Sequence, residues 1–373
     1  MCVTLGALLQ RIQHEPDARA RFAFLMPHTC GPCRFGIYNS LNHITLERLG
    51  WQDRVRIWSP VDTGYFKDFP PGFALLLFSG FMAADLLLNA LMDARPGESR
   101  PGAAQEIYDR YRAELHALLT RRAQGDLSLS AALWQVASGR LFGARRLLAR
   151  AGSEFGAVRG RMNRPTVLLV GEIYVRCDPF SNGFVVEKLE ALGLRVRLAP
   201  VNEWIEYADQ FWDRRNLRPP FTVRFRSAIL ARIQHLAHGA IAAKLDWPPH
   251  TPVRDVLAAA KPYMRPDLEG EAVLTIGSPV HEWQSGHIDA VLSVGPLECM
   301  PNKIAEAQFF HVAEQEGLLT LTLALNGEPV DPEVLDNFAF EVRARHGQNH
   351  RHQPGRGPAC PPAGWTTARS KST

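Results

Sequence analysis

The run Thr166-Val167-Leu168-Leu169-Val170 constrains the fold more than any other stretch, because it is apolar on both of the faces a strand would present. A strand with one wet face alternates polar and apolar residues, whereas a continuous apolar run belongs in a sheet covered on both sides. Leu194 to Leu198, Ala272 to Ile276, Ala290 to Val294 and Leu318 to Leu325 are the other expected strands. Between them lie helical patterns at about 183–192, 202–213, 222–244 and 252–261, and one running from Cys299 to about Gln315. A final helix is expected over 331–345, where Asp331-Pro332-Glu333 supplies an N-cap with proline at the first helical position. Strands alternating with helices predict a parallel sheet.

The first part of the chain carries a shorter version of the same pattern. After an amphipathic lead-in over 1–21 come a strand at Phe22 to Met26, a helix from Arg34 to Leu49 and a strand at Val55 to Trp58. Phe73 to Leu91 predicts a helix behind the turn Pro70-Pro71-Gly72, and Arg95 to Ala103 a loop. Helical patterns follow at about 104–123 and 129–151. The expected fold class is α/β: two Rossmann-like lobes with parallel sheets and a helical connection. Residues 1–100 form the N-terminal lobe, 101–164 the helical connection and 165–346 the C-terminal lobe. Residues 347–373 lack an apolar period and are expected to be a disordered tail.

Composition narrows the function classes. Hydrophobic residues at 46% and charged residues at 21% are those of a globular chain with real cores. The net charge of +4 is spread among both signs, with part of the excess in Arg345, Arg351, Arg356, Arg369 and Lys371, so no nucleic-acid partner is expected. Phe73 to Leu91 approaches the length of a membrane span, but Ser79, Gly80, Asp85 and Asn89 interrupt it and a buried helix is expected instead. The N-terminus has no basic region before its apolar residues. Six scattered cysteines do not make a disulfide framework. The expectation is a cytoplasmic chain with reduced thiols and no membrane association.

The chemistry-bearing feature is Cys30-Gly31-Pro32-Cys33, at a strand-to-helix turn. Free N–H groups at a helix N-terminus stabilise negative charge on sulfur, which predicts lowered thiol pKa values. Such a pair is a redox dithiol, half of a metal or iron–sulfur site, or two buried cysteines without chemistry. Thioredoxins use the same quartet, but here Thr29 precedes it and residues 34–100 offer no matching second strand with a proline at its start. Pro296-Leu297-Glu298-Cys299-Met300-Pro301-Asn302 repeats the turn-then-helix setting around a third thiol, which favours thiolate ligation completed from another lobe. Because ligands of parallel sheets sit beyond the strand C-terminal ends, Cys30, the loop around Cys177, Gly277-Ser278 and Cys299 are expected to converge. Cys360 falls in the tail and is expected to be incidental.

His28-Thr29-Cys30-Gly31-Pro32-Cys33-Arg34-Phe35-Gly36, Gly171-Glu172-Ile173-Tyr174-Val175-Arg176, Asp178-Pro179-Phe180-Ser181-Asn182 and Glu298-Cys299-Met300-Pro301 together resemble the 2-hydroxyacyl-CoA dehydratase and benzoyl-CoA reductase component superfamily. The closest likeness is to the C-terminal part of large CoA-substrate-specific enzyme activases, relatives of double-cubane cluster proteins, and it runs from about residue 20 to 347. The resemblance implies Rossmann-like lobes with an iron–sulfur cluster between them, [4Fe–4S] or double cubane, held by Cys30, Cys33 and Cys299. It implies ATP-driven low-potential electron transfer or reduction. No phosphate-binding fingerprint is present, so the ATPase activator is expected to be a separate chain, this chain a free-standing or truncated section, and a homodimer or sister-subunit pair the expected assembly. Cys177 departs from the family pattern as an extra metal ligand or a coincidence. Glu172, Arg176 and Asp178 form either an ion-paired loop or part of a site, and Ser181-Asn182 an N-cap. Glu298 is a proton relay or a solvated residue, and His28 a modulator of the cluster or a local hydrogen-bonding group. The alternatives are a non-catalytic cluster-binding or scaffold subunit and a thiol-disulfide oxidoreductase.

Overall fold

The computed structural model describes residues 2–28, 33–60, 69–160, 163–209, 218–265 and 267–352. The first lobe begins with helix α1 (Cys2–Gln13), strand β1 (Phe22–Leu25), helix α2 (Phe35–Arg48) and strand β2 (Val55–Trp58). β1 and β2 pair in parallel, Phe22 beside Val55 and Leu25 beside Trp58. Leu5, Leu8 and Ile12 of α1, Leu46 of α2 and Val55 close a small core around the pair.

A helical layer comes next: α3 (Pro71–Ala94), α4 (Ala103–Ala123), α5 (Leu129–Ala137) and α6 (Ala144–Val158). The pattern expected as one helix over 129–151 breaks at Leu141, Phe142 and Gly143, which all have positive φ. α3, which the sequence places at the end of the first lobe, packs instead into this layer: Phe78, Met82, Leu87 and Leu91 share one cluster with Tyr111, Leu148 and Phe155. Together with its continuation to Gly97 it is long and apolar enough to cross a membrane, yet 72% of that window is buried inside the protein. Its apolar excess is therefore that of a helix surrounded by other helices.

The second lobe holds β3 (Thr166–Gly171), α7 (Ile173–Cys177), α8 (Val185–Ala191), β4 (Arg195–Leu198), α9 (Asn202–Asp209), α10 (Phe221–Leu245), α11 (Val253–Ala260), α12 (Ala272–Gln284), β5 (Ala290–Pro296), α13 (Met300–Glu316), β6 (Leu319–Leu325) and α14 (Pro332–His352). Helix α10 turns back to pack with the helical layer through Ile233, Ala237 and Ile241. The strands are all parallel in the order β4-β3-β5-β6. Both faces of β3 are covered as its composition requires, Leu168 and Val170 meeting one core cluster and Val167 and Leu169 the other. The protein is thus α/β, with two lobes of parallel strands flanked by helices.

One expected strand is a helix. Ala272 to Ile276 opens α12, and Gly277, Ser278 and Pro279 continue it instead of closing a strand. Residues 272 to 280 are buried all round, so the helix has no polar face and its sequence cannot be told from a buried strand by periodicity. Gly277 lets α11 approach: a Cβ there would lie 2.2 Å from the Val256 carbonyl oxygen. At the other end, α14 continues helically to His352, past the expected start of the tail, and residues 353–373 with Cys360 lie outside the described residues.

Because β3 is followed by β4 on one side and β5 is reached by crossing to the other, the sheet reverses direction between β3 and β5. In parallel α/β sheets the crevice beyond the strand C-terminal ends at that reversal is where ligands bind. Glu172 follows β3 there and Cys299 follows β5.

Candidate functional site

Two glycines shape the crevice floor. Gly171 has φ +103°, and a Cβ on it would stand 2.0 Å from the Val294 carbonyl oxygen, so only glycine lets β3 end against β5. Gly295 leaves room for Asn302, whose Oδ1 accepts from the Ser293 hydroxyl at 2.8 Å and pins the start of α13 to β5. Between them Glu298 occupies the left-handed region at φ +61°, an uncommon conformation for a residue with a side chain. Its carbonyl oxygen accepts from the Arg34 guanidinium of the first lobe, while its carboxylate side chain is exposed.

That contact brings the two lobes' thiols together. Cys33 stands just before α2, and its Sγ accepts from the Phe35 N–H at 3.4 Å. Cys299 is the N-cap residue of α13; its side chain makes no capping hydrogen bond, and the nearby Asn302 N–H only favours charge on its sulfur. Cys33 raises the cost of ionising Cys299, and both act on Tyr38. Cys30, Gly31 and Pro32 lie outside the described residues.

The expectation of lowered thiol pKa values is corrected. Burial pushes the Cys33 thiol up despite the N–H from Phe35, with Glu172 and Glu271 adding to the rise. Burial pushes Cys299 to about 12, again against the nearby N–H. The helix termini do act in the expected direction, but removal from water and nearby carboxylates outweigh them. Only Arg34 acts on Cys33 in the opposite sense as a charge, so without an added cation these sulfurs stay protonated at neutral pH.

Cys177 sits elsewhere. It ends α7 and packs among the apolar residues of one sheet face, where burial pushes its thiol to about 11. The charges it feels are Arg176, Asp85 and Glu172, and it acts on Tyr108 of α4, so it faces the helical layer. Asn182 caps α8 by accepting from the Val185 N–H at 3.2 Å, and Asp178 accepts from the Ser181 N–H at 2.9 Å. The His28 main-chain N–H is bound to the Pro60 carbonyl at 2.9 Å.

Behind the thiols lies a group that sequence reading missed apart from Glu172 and Arg176. Arg176, 5% exposed, donates to the carbonyl oxygens of Gly171 at 3.3 Å and Pro200 at 3.5 Å. Four carboxyl groups feel this one guanidinium: Asp85 of α3, Glu172, Glu203 of α9 and Glu271. Burial outweighs it in each case, pushing Asp85 to about 6, Glu203 to about 7 and Glu271 to about 8, and raising Glu172. Glu172 caps α7 through the Val175 N–H at 2.7 Å, Glu203 accepts from Ser278 at 3.0 Å, and Glu271 stands 3.9 Å from Arg176. The signal in the sequence was Asp85, a charge inside an otherwise apolar helix; Glu203 looks like an ordinary first-turn residue, and Glu271 precedes a stretch that reads as a strand.

Among the described residues, no group of three or more His, Cys, Asp and Glu side chains is arranged to hold a metal ion. The structure brings together Cys33 and Cys299 from the two lobes. Compared with family models, curated proteins and solved structures, the chain matches none.

Proposed function

We propose that this chain is an iron–sulfur protein of low-potential electron transfer, with Cys33 and Cys299 holding the cluster and Cys30 as a third ligand. The observation that carries the reading is the approach of Cys33 and Cys299 across the lobe boundary, where both act on Tyr38 and the Phe35 N–H is directed at the Cys33 sulfur. The donor set fits: Arg34 does not offset burial and the carboxylates, so the thiols stay neutral alone, and an iron centre would supply the charge that displaces their protons. When bound, such a cluster stores and passes single electrons at a potential set by its ligands, hydrogen bonds and burial.

The chain's own residues would then do three things. The Phe35 N–H holds the Cys33 sulfur in place, and the nearby Asn302 N–H favours charge on Cys299. Arg34 ties the Cys299 loop to the start of α2, so the two lobes keep one spacing. The exposed Leu297 and Met300 flank Cys299 and give this edge an apolar rim for a partner.

The ATP-hydrolysing partner, and pairing with a second copy or sister subunit, rest on the resemblance in the cysteine motifs. Hydrolysis in that partner would drive electron entry through a conformational change at the shared surface. The test is anaerobic reduction of the purified chain by a related activator, with and without ATP, followed by visible bleaching. ATP-dependent bleaching supports the role. Its absence, with no nucleotide-binding protein co-purifying from the native source, removes the electron-transfer function and leaves a cluster-binding subunit.

A further inference from the structure

Asp85, Glu203 and Glu271 come from three separate elements and converge on one guanidinium, beneath the thiol edge but not part of it. One positive charge cannot balance three buried carboxylates and Glu172 besides. Arg176 spends its hydrogen bonds on main-chain carbonyls, and Glu271 meets it at 3.9 Å without a hydrogen bond. The interior also holds polar atoms with no partner among the described residues: Arg176 Nε, Asp85 Oδ1, Glu271 Oε1 and Asn202 Nδ2. Asn202 is 2% exposed and Asp85 8%, so bulk solvent does not serve these atoms. Unpartnered buried donors and acceptors on residues gathered around one guanidinium are groups that internal water serves.

We propose that Asp85, Glu203 and Glu271, gathered on Arg176, form a proton-exchanging site with internal water, and that charge at the Cys33–Cys299 edge sets its proton occupancy. The inference uses the thiol edge of the proposed function as a place where charge changes, but not the identity of what brings the charge.

The N–H groups of Val201 and Asn202 and the charges of Arg176 and His250 act to lower Asp85, with Cys177 on the α7 side. Glu203 faces Arg176, the Ser278 hydroxyl, Glu282 and Glu206. Glu282 is itself paired with Arg197 at 2.9 Å. Glu271 faces Arg176, Glu172 and Glu203. Burial dominates all three groups, so the cluster keeps protons near neutrality. Glu271 acts on both Cys33 and Cys299. Coupling between charges is reciprocal, so a negative charge added at the thiols must raise the proton affinity of Glu271.

The test is infrared spectroscopy of the full, metal-free chain, following the carbonyl stretch of protonated carboxyl groups from about pH 5 to about pH 9. The wild-type protein should show protonated buried carboxyls at neutral pH. Glu271→Gln and Glu203→Gln should each remove part of that band. Cys299→Asp should move the band's titration to higher pH than Cys299→Asn, the pair differing in charge at nearly constant shape. If one glutamine variant does not fold, the wild-type titration and the other variant carry the same test. Absence of the band at neutral pH, or equal titrations of the Asp and Asn variants, overturns the proposal. Because no iron is present, failure here is separate from failure of the cluster assignment.

Discussion

Replacing Arg176 with methionine keeps the buried volume and removes the only positive charge shared by Asp85, Glu172, Glu203 and Glu271. Two carbonyls, Gly171 and Pro200, also lose their donor, at about 1 kcal/mol or more each. Uncovering buried charge adds about 3–5 kcal/mol when the partner cannot neutralise itself. Here the carboxyl groups can, by holding protons, so the penalty must depend on pH. In the parent protein, groups raised in the folded state contribute stability that is fully present below their unfolded pKa. That contribution is lost as pH rises through about 6, 7 and 8 for Asp85, Glu203 and Glu271. Each group protonated only in the folded state costs about 1.4 kcal/mol per pH unit. Arg176 lowers all three, so its removal moves them higher and extends the loss to more alkaline pH. Urea unfolding of Arg176→Met should therefore show a deficit of about 2 kcal/mol near pH 5, chiefly the two carbonyls. Near pH 8 the deficit should grow by several kcal/mol, roughly the 3–5 kcal/mol of an uncovered charge. An equal deficit at both pH values would refute the view that the cluster answers lost positive charge with protons.

Gly171→Ala should be among the costliest small substitutions, about 3 kcal/mol or more, because the new Cβ meets the Val294 carbonyl oxygen in a left-handed conformation; thermal unfolding near that of the parent would contradict the crevice geometry. Glu298→Gly should raise stability by about 1 kcal/mol in denaturant titration, since glycine relieves the positive φ of a residue whose side chain is exposed. Loss of stability would mean the side chain holds the loop. Cys177→Ser should leave iron content and electron paramagnetic resonance spectra unchanged while lowering stability by about 1 kcal/mol, as expected for a thiol packed on the sheet. A changed spectrum would make it a ligand.

The sheet was legible because β3 is apolar in a continuous run and β4, β5 and β6 are short β-forming segments between helical patterns, and their parallel pairing places the strand ends together. Helix α12 was not, for the same physical reason: a helix buried all round shows no face, and its Thr275 and Ile276 read as β-formers. The meeting of Cys33 with Cys299 was foreseeable from their shared setting at helix starts. The direction of their pKa shifts was not, because burial and the carboxylates of Glu172 and Glu271 are tertiary facts. The acid cluster lay hidden for a related reason. Glutamates in a first helical turn are usually solvated and favoured by the helix dipole, and only packing shows that Glu203 is inside and that Glu271, before α12, is largely covered.

Iron and acid-labile sulfide, measured after anaerobic reconstitution of the parent chain and of Cys33→Ala, Cys299→Ala and Cys360→Ala, test the cluster assignment most directly. One cubane predicts about four iron per parent chain, most of it lost in the Cys33 and Cys299 variants and none lost in the Cys360 variant. Full iron and sulfide in Cys299→Ala, or a parent chain that takes up neither, would contradict the assignment.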